Sequence, residues 1–122
     1  MVAASKLWVP DRRDMIWINF NPQVGSEMKD EHPMLVLSTK AFNERTGLVI
    51  GLPMTHAPGN ETNPFAVKFT SPKGEVCYVL AHQPKSFSWR DRGARPHTWK
   101  QVPPAVFESA CEELNGIISI CV

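Results

Sequence analysis

Apolar and polar residues change places along this chain with two different periods. From Met15 to Phe20 they alternate, which sets Ile16, Ile18 and Phe20 on one face of a half-buried strand. Asn21-Pro22 breaks that run, and Gln23 to Glu31 reads as a polar loop with Gly25 as its flexible point. Met34 to Ser38 predicts a short apolar strand, and Ala41 to Thr46 one helical turn closed by Gly47. Leu48 to Met54 is apolar throughout, and Pro53 near its end assigns that strand to a terminus or an edge. His56 to Asn63 is a turn-rich loop. Phe65 to Phe69 alternates again, and Ser71-Pro-Lys-Gly74 turns the chain into a strand from Val76 to Ala81. The period then lengthens. Phe107, Ala110, Cys111, Leu114, Ile117, Ile118 and Cys121 fall on one stripe of a helix that Pro103-Pro104 suits as a start. Gly116 weakens its later part, so fraying or an end is expected there. Short strands followed by one helix predict a compact, mostly antiparallel barrel with a C-terminal helix packed on it.

Length and composition narrow the class. A chain of 122 residues, 43% of them apolar, fits one soluble domain with a real core. No stretch approaches the roughly 20 apolar residues of a membrane helix, and the N-terminus lacks the order of a signal peptide. A cytoplasmic protein with no membrane partner is expected. Net charge is only +1, yet Lys85, Arg90, Arg92, Arg95 and Lys100 crowd between Pro84 and Gln101 against the single acid Asp91. Trp89, His97 and Trp99 are interleaved with them. The basic side chains either track a phosphate backbone or are simply solvated, while the tryptophans read as core or interface anchors. Cys77, Cys111 and Cys121 have no C-x-x-C spacing and read as buried free thiols in a reducing compartment. The four histidines, His32, His56, His82 and His97, lack zinc-type spacing, so neither metal nor cofactor is expected.

The order of short motifs resembles the MazF/PemK family of toxin–antitoxin endoribonucleases along nearly the whole chain. The opening carries Trp8-Val-Pro-Asp11, Ile16-Trp-Ile-Asn-Phe20, Asn21-Pro22, Gly25-Ser-Glu27 and His32-Pro33. Ala41-Phe-Asn43 with Thr46-Gly-Leu48, Leu52-Pro-Met-Thr55 and Asn63-Pro-Phe-Ala-Val67 follow. Gln83-Pro-Lys-Ser86, Trp89-Arg90 and Arg92-Gly-Ala94 complete the series. The resemblance implies an SH3-like antiparallel barrel that dimerises, with single-stranded RNA crossing a groove at the subunit interface. It also implies metal-independent cleavage to a 2′,3′-cyclic phosphate and a 5′-hydroxyl, and a cognate antitoxin that blocks the groove with an extended segment.

Such cleavage needs a group to take the 2′-hydroxyl proton, stabilisation of the phosphate charge, and an acid for the departing 5′-oxygen. The chain departs from the family at those very roles. His32 stands where relatives carry a catalytic arginine, His82 where many carry an acid, and Leu80 where one branch has a catalytic arginine. Unlike arginine, histidine exchanges a proton near neutrality. The expected site is therefore an acid–base pair of His32 and His82, with a bell-shaped pH–rate profile. Thr55 would hydrogen-bond the phosphate, and Glu27 would orient a histidine or the ribose. Gln83, Lys85, Arg90, Arg92 and Arg95 would contact RNA. The plainer readings are an exposed loop histidine for His32, a turn-capping hydroxyl for Thr55, a solvated loop acid for Glu27 and a structural histidine for His82. Trp17 reads as a barrel residue near the site, and His56 and His97 as surface residues. Two other functions stay open: a dimer that binds antitoxin or RNA without cutting, and a gyrase-directed toxin on the same barrel.

Overall fold

A computed structural model describes residues 7–21 and 30–119. Seven strands, β1 (Asp14–Asn19), β2 (Glu31–Val36), β3 (Leu48–Thr55), β4 (Ala66–Thr70), β5 (Val76–Leu80), β6 (Lys85–Ser88) and β7 (Arg95–Gln101), pair only antiparallel. They run in the order β4-β5-β3-β2-β1-β7, with β6 also on β3. A short helix, α1 (Lys40–Thr46), joins β2 to β3, and α2 (Pro104–Ile118) closes the chain. A 3-10 turn at Pro58–Thr62 occupies the turn-rich stretch before β4. The result is an antiparallel half-barrel with a C-terminal helix, as the sequence pattern predicts.

Strand alternation feeds two cores, one on each face of the sheet. Met15, Leu35, Leu52, Met54 and Val79 meet Ala110 of α2 on one side. Ile16, Ile18, Phe20, Met34, Val36 and Val49 meet Trp89 on the other. In β3 the Gly51–Met54 stretch is buried throughout, as expected of a strand covered on both faces, whereas Leu48 and Ile50 stay 39% and 37% exposed beside buried Val49. Burying each core side chain is worth about 1.5–3 kcal/mol, so the sheet and not the helices carries the fold. Of α2, only Ala110 is fully buried, and Ile117 and Ile118 remain 42% and 45% exposed.

Pro53 is a correction to the sequence reading, because β3 is the hub of the sheet and not its edge. One side of β3 pairs with β2, down to Met34 opposite Pro53. Its other side is shared: Leu48–Gly51 pair with β6 and Met54–Thr55 with β5. Pro53 falls in the gap where that outer partner changes, so its missing N–H breaks no rung there. The basic run, to which the sequence pattern assigned no element, supplies two strands, β6 and β7. α2 also continues through Gly116 to Ile118, where Ser119 takes the left-handed cap at φ 48°. At α1 the sequence reading holds: Thr39 caps its start and Gly47, at φ 75°, ends it.

Asn43 of α1 is fully buried and ties three segments together. Its amide Nδ2 donates to the carbonyls of Pro10 (2.8 Å) and Ser38 (3.3 Å), and its Oδ1 accepts from the Ser38 hydroxyl. Its backbone oxygen accepts from the Trp89 indole at 2.8 Å. Trp89 is thus a core anchor, as expected for so large an aromatic. Cys77 is buried with its thiol pushed up to about 11, mainly by burial, whereas Cys111 is only half-buried; Cys121 lies outside the described residues.

Candidate active site

One end of the sheet collects the polar chemistry. Antiparallel pairing brings there the end of β1 (Asn19), the start of β2 (Glu31, His32), the end of β3 (Thr55) and the start of β7 (Arg95). His32 pairs with Ile18 across the ladder, and its half-buried ring meets the Phe20 ring edge-on at 6.0 Å. Its imidazole rests against an apolar ring, and among the described residues no hydrogen bond engages either ring nitrogen. Thr55 lies at the same end, where β3 has left β2 and pairs with Tyr78 of β5. The Thr55 oxygen accepts from the Ala57 N–H at 3.2 Å, so the turn-capping role is real. That bond uses a lone pair and leaves the hydroxyl proton free to donate.

His82 is placed elsewhere. It lies in the turn that follows β5, two residues past Leu80 and four beyond Tyr78. Its ring leans on Phe65 at 5.7 Å and its Nε2 meets the Gln83 amide at 3.2 Å. β3 stands between the strand carrying His32 and the turn carrying His82. Among the described residues the His32 ring meets Phe20 and the His82 ring meets Phe65 and Gln83, and no contact joins the two imidazoles. Glu27 lies outside the described residues.

The basic side chains are less free than their exposure in the sequence suggests. Arg95 donates to the Glu31 carboxylate at 2.6 Å and lies over Trp17 at 5.4 Å. Arg90 lies over the Trp89 ring at 4.4 Å. Arg92 donates through one nitrogen, Nη1, to the carbonyls of Asn21 (2.6 Å) and Asn19 (3.1 Å), with its guanidinium 4.1 Å over Phe87. Lys85 sits opposite Gly51 in the β6 ladder. A cavity of about 440 Å³ opens beside Arg92, lined also by Asn19, Asn21, Asp30, Glu31 and Asp91. Its three carboxylates outnumber its one guanidinium, so phosphate gains little there.

Sequence reasoning missed an aromatic–imidazole group at this end. His97, read as a surface residue, is only 7% exposed and stacks on Trp17 (4.9 Å, planes 19° apart) and against Trp99 at 4.8 Å. Burial, with smaller contributions from His56 and Arg95, lowers its pKa, and its Nδ1 accepts from the Trp99 N–H. The period-two spacing of Arg95, His97 and Trp99 was the available signal. His56 is exposed, as expected, but its Nδ1–H donates to the Val76 carbonyl at 2.8 Å, which leaves the Nε2 lone pair outward. Among the described residues no three His, Cys, Asp or Glu side chains converge as metal ligands would.

These features define a class: a small antiparallel half-barrel with a C-terminal helix and its imidazole, hydroxyl and guanidinium groups gathered at one rim. A model of the PemK-like, MazF-like toxins of type II toxin–antitoxin systems matches residues 11–118. The chain belongs to that family. It is 38% identical over 87 residues to the endoribonuclease toxin MazF of Escherichia coli K12, covering 71% of this chain and 76% of that protein. Crystalline MazF from Deinococcus radiodurans superposes with a TM-score of 0.83 at 33% identity, covering 93% of this chain and 99% of that one. A MazE–MazF crystal structure from the same organism gives a TM-score of 0.76 at 34% identity, covering 92% and 98%.

Proposed function

We propose that this toxin is a metal-independent endoribonuclease that cuts single-stranded RNA at selected sequences, leaving a 2′,3′-cyclic phosphate and a 5′-hydroxyl. It acts in the cytoplasm as a homodimer and is held inactive by a cognate antitoxin seated over the cleavage groove. The naming of the E. coli relative as an endoribonuclease and the MazE–MazF complexes of Deinococcus support that reading. The single observation that carries it is the rim itself. His32 stands there against Phe20, and Thr55 keeps a hydroxyl proton for a phosphate oxygen.

In this reading His32 moves protons between the 2′-hydroxyl, the phosphate and the leaving 5′-oxygen, and Thr55 donates to the phosphate. Glu27 remains the candidate for orienting the ribose or the imidazole. Arg95, Lys85 and Arg90 would steer the strand by charge, with Gln83 and His82 reached only by a substrate that extends past β3 to the turn after β5. Incubating the purified protein with a long RNA in EDTA, and mapping 5′-hydroxyl ends, tests the reaction class. The His32→Ala variant should lose at least about 100-fold in cleavage rate, the scale of one general acid–base group; a variant as fast as the parent removes His32 from the chemistry. That no contact joins His82 to His32 among the described residues favours a second reading, an RNA- or antitoxin-binding dimer that does not cut. Salt-sensitive RNA binding without any cleavage product would select it.

A further inference from the structure

Arg92 was expected among the RNA contacts, yet its surroundings point inward. Nη1 bridges the carbonyls of Asn19 and Asn21, the two residues that flank Phe20. The Arg92 backbone carbonyl accepts from the Asn19 N–H at 3.1 Å, so main chain and side chain hold the same segment. On the other side of the neck, Phe20 donates its N–H to Asp30 at 2.8 Å, and Asn21 and Asp30 exchange two bonds of 2.9 and 3.0 Å. Asp30 takes φ 64° to do so, a conformation that aspartate tolerates better than most residues.

A second route leads from the same guanidinium to the same place. Arg92 covers the face of Phe87, Phe87 meets Phe20 edge-on at 5.1 Å, and Phe20 meets the His32 ring edge-on at 6.0 Å. Backbone bonds and aromatic contacts both converge on Phe20, an aromatic side chain against which the His32 imidazole rests. The cavity next to Arg92 is lined by Asp30, Glu31 and Asp91, an arrangement that disfavours a phosphate there.

We propose that Arg92 is a positioning residue: it fixes Phe20 through the Asn19 and Asn21 carbonyls and through Phe87, and thereby fixes the ring of His32. This inference rests on the reading of His32 as the proton carrier. A displaced catalytic group costs rate and not affinity, and a misplacement near 1 Å costs up to about 100-fold.

The test compares the parent with Arg92→Ala, Arg92→Lys and Phe87→Leu. Three readouts are used: kcat and KM for RNA cleavage, the salt dependence of RNA binding, and the imidazole proton resonances of His32 and His82. Arg92→Ala should lower kcat by about 10- to 100-fold with KM and the salt slope unchanged, and should move the His32 resonance while leaving that of His82 in place. Arg92→Lys keeps the charge and a single nitrogen able to serve both carbonyls but loses the planar guanidinium over Phe87, so its kcat and its His32 resonance should fall between those of the parent and Arg92→Ala. Phe87→Leu should reproduce the His32 shift in milder form, and it serves if Arg92→Ala does not fold. A salt slope reduced by about one, KM raised, and an unmoved His32 resonance would show Arg92 to be a phosphate ligand and overturn the proposal. If the parent cuts no RNA, the nuclease reading fails, while the His32 resonance still decides whether Arg92 holds that ring.

Discussion

Asn43→Ala removes a buried amide whose contacts can be followed one by one. Asn43 has no exposed surface, and its Nδ2 is the side-chain donor to the Pro10 and Ser38 carbonyls. The Ser38 hydroxyl still accepts from the Ile50 N–H at 2.9 Å and can turn its proton toward the Ile50 carbonyl at 3.4 Å, so it adapts. The two carbonyls do not. A stranded buried acceptor costs about 1–3 kcal/mol, with the 2.8 Å bond to Pro10 at the upper end and the 3.3 Å bond to Ser38 at the lower. Alanine returns about 0.5 kcal/mol in helix propensity. The net loss is about 3.5 kcal/mol, a large part of the ~5–15 kcal/mol that holds a domain together, and about 14 °C in Tm. Urea denaturation reads it directly as a lower midpoint at constant slope. A loss under about 1 kcal/mol at unchanged slope would refute the reasoning, by showing that the carbonyls find other partners. Asn43→Asp adds a sign check. A buried carboxyl has its pKa raised in the folded state, so the folded form binds the proton more tightly. That variant should be weaker than the parent at pH 7 and recover part of the difference as pH falls toward 4.

Two further outcomes follow from burial elsewhere. A Cβ at Gly51 would stand 2.4 Å from the Leu35 carbonyl and 2.9 Å from Met34, so Gly51→Ala should cost about 3 kcal/mol in urea denaturation, while Gly59→Ala, in open space, should leave the midpoint near that of the parent. The depressed pKa of His97 means that the unfolded chain binds the extra proton first, from the ordinary value of 6.5 downward. Stability contributed there is complete above 6.5 and lost as pH falls, so the parent should lose more stability between pH 7.5 and 5.5 than His97→Phe does; parallel pH curves for the two would contradict the burial argument.

Much of the fold was legible because its signals are local. Ile16, Ile18 and Phe20 alternate, Gly47 ends α1 at positive φ, and Pro104 opens α2, each for reasons that need no distant partner. Pro53 misled because its cost depends on which neighbour lies beside it, and the switch from β6 to β5 is a property of the assembled sheet. Strands β6 and β7 were hidden for a related reason. Lys85, Arg95 and Lys100 interrupt the apolar pattern, and pairing with Gly51 and with Trp17 is what makes these segments strands. The candidate site was half visible. His32 and Thr55 can be named from motif order, but whether His32 meets His82 depends on the order of strands in the assembled sheet. Arg92 is the sharpest case: composition shows a cation, and only the folded chain shows two carbonyls waiting for it.

The divided edge of β3 bears on how the toxin comes into being. A ribosome that has released the chain only as far as Ala81 has delivered β5 but not β6, and the Leu48–Gly51 half of the hub then presents bare amides and carbonyls. Such a nascent chain carries an open strand edge while Trp89, Arg92 and β7 are still to come. Competence would arrive late and all at once, after most of the message has been read.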